Sequence, residues 1–223
     1  MKSRYSANAR PFESLYRKYD AWYDEEPGRS LFAIESRAVR ESLLFTPEKA
    51  LEVGVGSGRF AEALSIRFGV DPAVNPLRLA RHRGVSGVAG DGERLPFRAG
   101  TFDTCLLVVT LCFVENPLTV LQESFRVLRP GGQVVLGMVL EESPWGKVYR
   151  GLGVNGHPFY SLARFYSRDV IIQWLKETGF SSVGIVSTLF QPHGKSTYDP
   201  ELPRLGYDPG AGFTVFRALK PET

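Results

Sequence analysis

Short apolar runs alternate with segments of helical period through the middle of the chain, and that alternation predicts a parallel sheet covered by helices on both faces. The runs are residues 49–55 (KALEVGV), 67–71 (RFGVD), 85–89 (VSGVA), 102–111 (FDTCLLVVTL) and 133–140 (QVVLGMVL). They are apolar towards both faces, as buried parallel strands are. Between them, Asn75-Pro76 and Asn116-Pro117 each offer an N-cap followed by a proline pre-set for the first helical position. After Asn116, the residues Leu118, Leu121, Phe125 and Leu128 recur near the helical period, and Pro130-Gly131-Gly132 closes that helix. Ser167 opens another, with Val170, Ile171, Trp174 and Leu175 on its apolar face and Gly179 as its left-handed C-terminal residue. Two last strands are predicted at 182–190 and 213–219.

Three segments fall outside this regular pattern. Residues 1–46 carry amphipathic helical material (Phe12, Leu15, Tyr16, Tyr19, then Leu31, Ile34, Ala38), 141–166 are rich in aromatic residues (Trp145, Tyr149, His157, Phe159, Tyr160), and 191–211 are rich in proline and glycine. Ligands of an open parallel sheet bind beyond the carboxyl ends of its strands, so segments covering that edge are the expected lid and pocket. A single domain follows, with a helical cap at 1–46, a ligand-binding core at 47–140, a lid or substrate insert at 141–166, and a closing helix and strand pair at 167–223.

A length of 223 residues suits one such domain with a two-sided core. The net charge of +3, from 27 Lys plus Arg against 24 Asp plus Glu, is scattered, so no nucleic-acid partner is expected. The densest basic patch, Arg78, Arg81, His82 and Arg83, reads as a solvated helix face. No stretch approaches the ~20 apolar residues that cross a bilayer, and the opening MKSRYSANARPFESLY has no apolar run of a secretory signal, so a cytoplasmic location without a membrane partner is expected. Cys105 and Cys112 lie in or beside one apolar run, which suits buried free thiols rather than a disulfide or a metal site.

The strongest local signal is Glu52-Val-Gly54-Val-Gly56-Ser-Gly58 at the end of the first strand, where glycines let the backbone turn tightly and approach a ligand. Such a loop binds a nucleotide or something similar. A dinucleotide fingerprint needs glycine where Arg59 stands, which weakens a nicotinamide reading. Asp71 closes the second strand and offers paired acceptor oxygens to a vicinal diol, although Asp71-Pro72 is also a common turn. Asp91 follows the third strand in AGDGERLPF, placed to accept from an exocyclic amine, and Asp91-Gly92 too is a turn signal.

Together, LEVGVGSGRF, VDPA, GDGERLPF, FDTCLLVVTLCFVENP and VLRPGGQVVLG make the chain resemble the class I S-adenosylmethionine-dependent methyltransferases, particularly the small-molecule branch called type 11, which includes quinone-biosynthesis enzymes. The motifs span about residues 49–140 in the family's order and spacing. The resemblance implies a Rossmann-like, doubly wound, mostly parallel sheet of seven strands with the last antiparallel, plus the helical cap. It implies S-adenosylmethionine as cofactor, S-adenosylhomocysteine as product, and a small-molecule methyl acceptor. By the same resemblance Glu52 and the Gly54–Gly56–Gly58 loop hold the methionine end, Asp71 with Pro72 the ribose, Asp91 with Gly92 the adenine, and the main chain near Thr110 and Leu111 the amino group. YDAWYDE is similar to the family's N-terminal cap and puts Tyr19, with Tyr23, over the methyl group.

Transfer from a sulfonium mainly requires that the acceptor be desolvated and aligned. If the acceptor must lose a proton, His157 in the aromatic insert is the candidate base, ahead of His82 and His193. The segment after the fourth strand lacks the Asn/Asp-Pro-Pro-Tyr/Phe pattern of enzymes that methylate nucleobase or glutamine amides, and two thiols are too few for arsenite. The competing readings are a nicotinamide-dependent oxidoreductase and a non-catalytic cofactor-binding protein.

Overall fold

The computed structural model describes residues 7–222. The first residues of the expected cap, Met1 to Ser6, lie outside them. The chain enters through α1 (Arg10–Trp22) and α2 (Gly28–Ser42) and then alternates as β1 (Ala50–Val53), α3 (Arg59–Ala63), β2 (Phe68–Asp71), α4 (Val74–His82) and β3 (Ser86–Ala89). It continues through β4 (Phe102–Val108), α5 (Pro117–Val127), β5 (Leu128–Met138), α6 (Pro144–Val154) and α7 (Arg168–Thr178), and closes with β6 (Ser181–Thr188), β7 (Arg204–Leu205) and β8 (Phe213–Leu219).

These strands form one sheet in the order β3-β2-β1-β4-β5-β8-β6-β7. Strands β3 to β5 are parallel; β8 slots antiparallel between β5 and β6. All residues of β1 and β4 are buried, in keeping with sequences that are apolar but for Glu52, Asp103 and Thr104. The sheet is therefore the expected Rossmann-like one with a strand added. The two residues of β7, from the proline- and glycine-rich loop, pair antiparallel with β6 along its outer edge.

Two apolar layers sandwich the sheet. On one face Leu31, Ile34, Ala38 and Val39 of α2 pack with Phe60, Leu77 and Ala80 of α3 and α4. On the other, Val120 and Leu121 of α5 join Ile171 and Leu175 of α7. Helix α2 thus belongs to the sheet's covering layer, and of the two N-terminal helices α1 is the one that lies over the strand ends. Asn116 caps α5, accepting from the Thr119 amide at 3.1 Å, and Ser167 caps α7 while Gly179 ends it at φ +101°. Asn75 does not cap. It lies inside α4, where its amide and side chain donate to Glu13 of α1 at 2.9 and 3.1 Å. The LRPGG segment, expected to end α5, begins β5 instead. Strand β4 stops at Val108 because Val109 turns to φ +50°, so Cys105 and Cys112 do not share a strand; both are buried free thiols.

Among the described residues no helix is long and apolar enough to cross a membrane, and no group of three His, Cys, Asp or Glu side chains is placed to hold a metal.

Candidate functional site

A cleft of about 1040 Å³, its open mouth included, lies where β1, β2 and β4 end, with α1 as its roof. Gly54, Gly56, Asp71, Pro72, Asp91, Gly92 and Thr110 line its floor and walls; Phe12, Tyr16 and Tyr19 line its roof. Seven of the ten expected cofactor residues are thus brought together, and Glu52, Gly58 and Leu111 are not.

The loop's geometry explains this division. Gly54, Gly56 and Gly58 all have positive φ (+75°, +50° and +83°), yet they face different surroundings. A methyl group on Gly54 would collide with the Thr110 side chain, one on Gly56 would meet nothing within 4 Å, and one on Gly58 would press on Ala80 at 3.0 Å. Gly56 therefore presents bare backbone to the cleft, while Gly58 serves the contact between the start of α3 and α4. Glu52 is 2% exposed. Leu51 and Val53 point towards α5, so Glu52 points to the opposite face, beside the Ala61 amide, with burial holding its pKa well above the usual range and Oε2 without a hydrogen-bond partner. It lies beneath the loop rather than in the cleft. Leu111 is a core residue.

Asp71 is buried, and its two oxygens accept from the Gly56 and Ala73 amides, both at 2.8 Å. Burial raises its pKa to about 6 despite those two amides. A carboxylate has about four acceptor positions, so two remain for a ligand. Asp91 takes the Glu93 amide on Oδ1 at 2.9 Å, which leaves Oδ2 open, and a side chain at Gly92 would crowd Val53 at 3.0 Å. Val109, a β-branched residue at φ +50°, lines the cleft where β4 breaks off; such conformations are strained and concentrate at functional sites.

The roof is fastened by charge. Asp20 of α1 accepts from Arg59 Nε at 2.8 Å, Arg59 Nη2 at 3.0 Å and Arg83 Nη2 at 3.0 Å, while Arg59 also reaches Asp24 at 2.8 Å. Burial would push Asp20 up, but these bonds outweigh it and its pKa falls to about 2. Arg59, which spoils the dinucleotide glycine spacing, is thus the bolt between roof and glycine loop. Replacing Asp20 by alanine is expected to lower the cost of lifting α1 by about 2 kcal/mol, since two arginines lose a largely buried partner. Tryptic cleavage at Arg17 and Lys18 then speeds roughly thirtyfold, with little change in global unfolding; equal cleavage rates would show that the roof is held by packing alone.

Tyr19 lines the cleft, its hydroxyl 3.1 Å from that of Tyr23 and its pKa raised to about 12 by burial, so it remains a phenol. His157 does not reach the cleft: its Nδ1 accepts from the Phe159 and Tyr160 amides at 3.4 and 3.3 Å and so caps the turn that follows α6. Trp145 is a core residue, 1% exposed, with Nε1 donating to the Gln191 carbonyl at 3.1 Å. No histidine or cysteine lines the cleft among the described residues. Asn8, Ala9 and Phe113 of the lining carried no signal in sequence, whereas Phe12, Tyr16, Tyr19 and Tyr23 share one stripe of helical period.

A profile described as a methyltransferase domain matches residues 51–136. A crystal structure from Thermotoga maritima, described as a SAM-dependent methyltransferase, possible histamine N-methyltransferase, is 34% identical and superposes with a TM-score of 0.87 over 96% of this chain and 99% of that one. An uncharacterized protein of Mycobacterium tuberculosis is 40% identical over 201 residues, covering 90% of this chain and 70% of its own length. The N-methyltransferase NodS from Bradyrhizobium japonicum, crystallised with S-adenosyl-L-homocysteine, shares the fold at TM-score 0.67 and 18% identity, over 97% of this chain and 100% of its own. The chain belongs to the class I S-adenosylmethionine-dependent methyltransferases, and S-adenosylmethionine is its cofactor.

Proposed function

We propose that the enzyme methylates a small molecule that reaches the cofactor beside Tyr19, beneath α1. The observation that carries this reading is the roof itself: Phe12, Tyr16 and Tyr19 cover the strand ends with aromatic surface, which suits a small, partly apolar acceptor.

Bound S-adenosylmethionine supplies an electrophilic methyl group on a sulfonium. The chain's own residues hold and orient. The Gly54–Gly56 backbone receives the methionine end, Asp71 offers its two remaining acceptor positions to the ribose, and Asp91 with Gly92 meets the adenine; Thr110 lies beside the amino group. Gly58, Glu52 and Leu111 support these groups from behind. With Tyr19 kept protonated and His157 engaged in its turn, catalysis here rests on positioning and exclusion of water, not on an obligatory side-chain base.

S-adenosylhomocysteine at 100 times its dissociation constant is expected to stabilise the protein by ~2.7 kcal/mol in thermal denaturation, and NAD is expected to add nothing. Stabilisation by NAD alone would sink the assignment of these residues. Transfer of labelled methyl to a small-molecule panel, with none to protein or RNA, tests the acceptor class.

A further inference from the structure

A separate aromatic cluster stands over the cofactor cleft. Phe12 and Tyr19 lie two turns apart on one stripe of α1, with ring centroids 5.6 Å from each other. Phe113, from the loop after β4, meets Phe12 edge-on at 4.9 Å, and all three side chains line the cleft. One further ring completes the group. Phe159 packs against Phe12 at 4.9 Å and Tyr19 at 5.1 Å, yet it does not line the cleft itself, so it stands behind these two roof residues. None of the four belongs to either apolar layer around the sheet. The cluster serves the cleft rather than the core.

The loop that carries Phe159 is held on both sides of it. Tyr160, the next residue, stacks on the rings of Tyr149 and His157, each 4.3 Å away, and His157 Nδ1 accepts from the Phe159 and Tyr160 amides. Farther on, Arg164 ties the loop to the cleft wall: its amide donates to the Cys112 carbonyl at 2.8 Å and its Nη1 to the Glu115 carbonyl at 3.3 Å. Phe159 is thus fixed in place although it is only half-buried.

We propose that Phe159 sets the size limit of the methyl acceptor, as a positioning residue that acts through Phe12 and Tyr19. The proposal rests on the reading that a small molecule reaches the cofactor beneath α1. Aromatic rings at these separations hold one another beyond the effect of burial alone, so Phe159 keeps the two roof rings pressed over the cleft. Truncating it to alanine leaves a gap the size of a ring, and neighbours collapse into such a gap only in part. Phe12 and Tyr19 then gain room to swing outward. The space beneath them admits a bulkier acceptor, while the floor and walls, where Gly56, Asp71 and Asp91 lie, do not depend on Phe159.

The test is transfer of labelled methyl from S-adenosylmethionine to amines and thiols that carry a methyl, phenyl, naphthyl or pyrenyl group, with wild type, Phe159→Ala and Phe159→Leu compared. For the first member beyond the wild-type size limit, kcat/KM is expected to rise at least about tenfold in Phe159→Ala, through KM rather than kcat, since one misfitting methylene in an apolar pocket already costs about that much. Phe159→Leu moves the limit by a smaller step and carries the test should the alanine variant fail to fold. S-adenosylhomocysteine affinity in calorimetry stays within about twofold, as for a site remote from the substitution. The same limit in wild type and variant, no limit in the wild type, transfer to no member by either protein, or a variant that loses S-adenosylhomocysteine affinity overturns the proposal. Transfer by the wild type to protein or RNA, with none to the panel, strikes the small-molecule reading as well; an unmoved limit with a methylated panel strikes this proposal alone.

Discussion

Asp71→Ala is expected to cost the protein both its cofactor and part of its stability. The carboxylate is not a free ligand group waiting in solvent, as its place at a strand end suggests; it is buried and joins the glycine loop to the start of α4 through the Gly56 and Ala73 amides. Removing it strands two donors, and unsatisfied buried groups cost about 1–3 kcal/mol each, so unfolding in urea shifts by roughly 2–6 kcal/mol. On the proposed ribose role, S-adenosylhomocysteine affinity falls by a further 1.5–3 kcal/mol, roughly ten- to a hundredfold. Asp71→Asn, which keeps one acceptor, falls between. Because the pKa of Asp71 stands near 6, affinity in the wild type also weakens as pH drops through that value and the acceptor oxygens are lost. An alanine variant with wild-type stability and affinity would make Asp71 a mere turn residue.

Glu35→Gln is expected to stabilise the protein, and more so at high pH. The folded chain keeps the Glu35 proton up to about pH 8, whereas an unfolded glutamate releases it near 4.5. Between those values unfolding releases a proton, so native stability declines with rising pH by up to ~1.4 kcal/mol per unit. The penalty is absent below pH 4.5 and fully developed above about pH 8; since Glu35 keeps some accessible surface, its total is on the order of 2–4 kcal/mol. Glu52 and Asp71, also raised, contribute slopes of the same sign, but these are common to both proteins and cancel in the difference. Urea unfolding of wild type and variant at pH 5 and pH 8 isolates the effect; a constant difference across pH would show that Glu35 is freely solvated. A residue that stabilises the fold when removed is retained for something other than stability.

Much of this was legible in sequence because of where the strands lie. Buried on both faces, β1 and β4 announce themselves as largely apolar runs beside a glycine loop, and the helix caps Asn116 and Ser167 act through bonds only three residues long. The errors have a different cause. Asn75 carries the local signature of a cap, but a bond to Glu13, 62 residues away, claims it. Gly54, Gly56 and Gly58 look alike, and only the neighbours brought by β4 and α4 separate a glycine that lines the cleft from one that packs between helices. Trp145 and His157 lie in the aromatic segment that the sequence marks as a pocket, yet one fills the core and the other caps a turn. Strand β7 is two exposed residues, too short to show a period. The Asp20 fastening joins partners 39 and 63 residues apart, a separation at which spacing holds no information.

That fastening also grades the enzyme's response to ionic strength. The inner pairs of Asp20 with Arg59 and Arg83 have side chains only 12–18% exposed, whereas Asp24, the outer partner of Arg59, is 66% exposed. Counter-ions screen exposed charges over about 8 Å at physiological salt and barely reach enclosed ones. Salt therefore strips the outer pair first and leaves the inner clamp closed, so the roof loosens in two stages, and cofactor exchange is expected to quicken modestly with added salt long before α1 comes free.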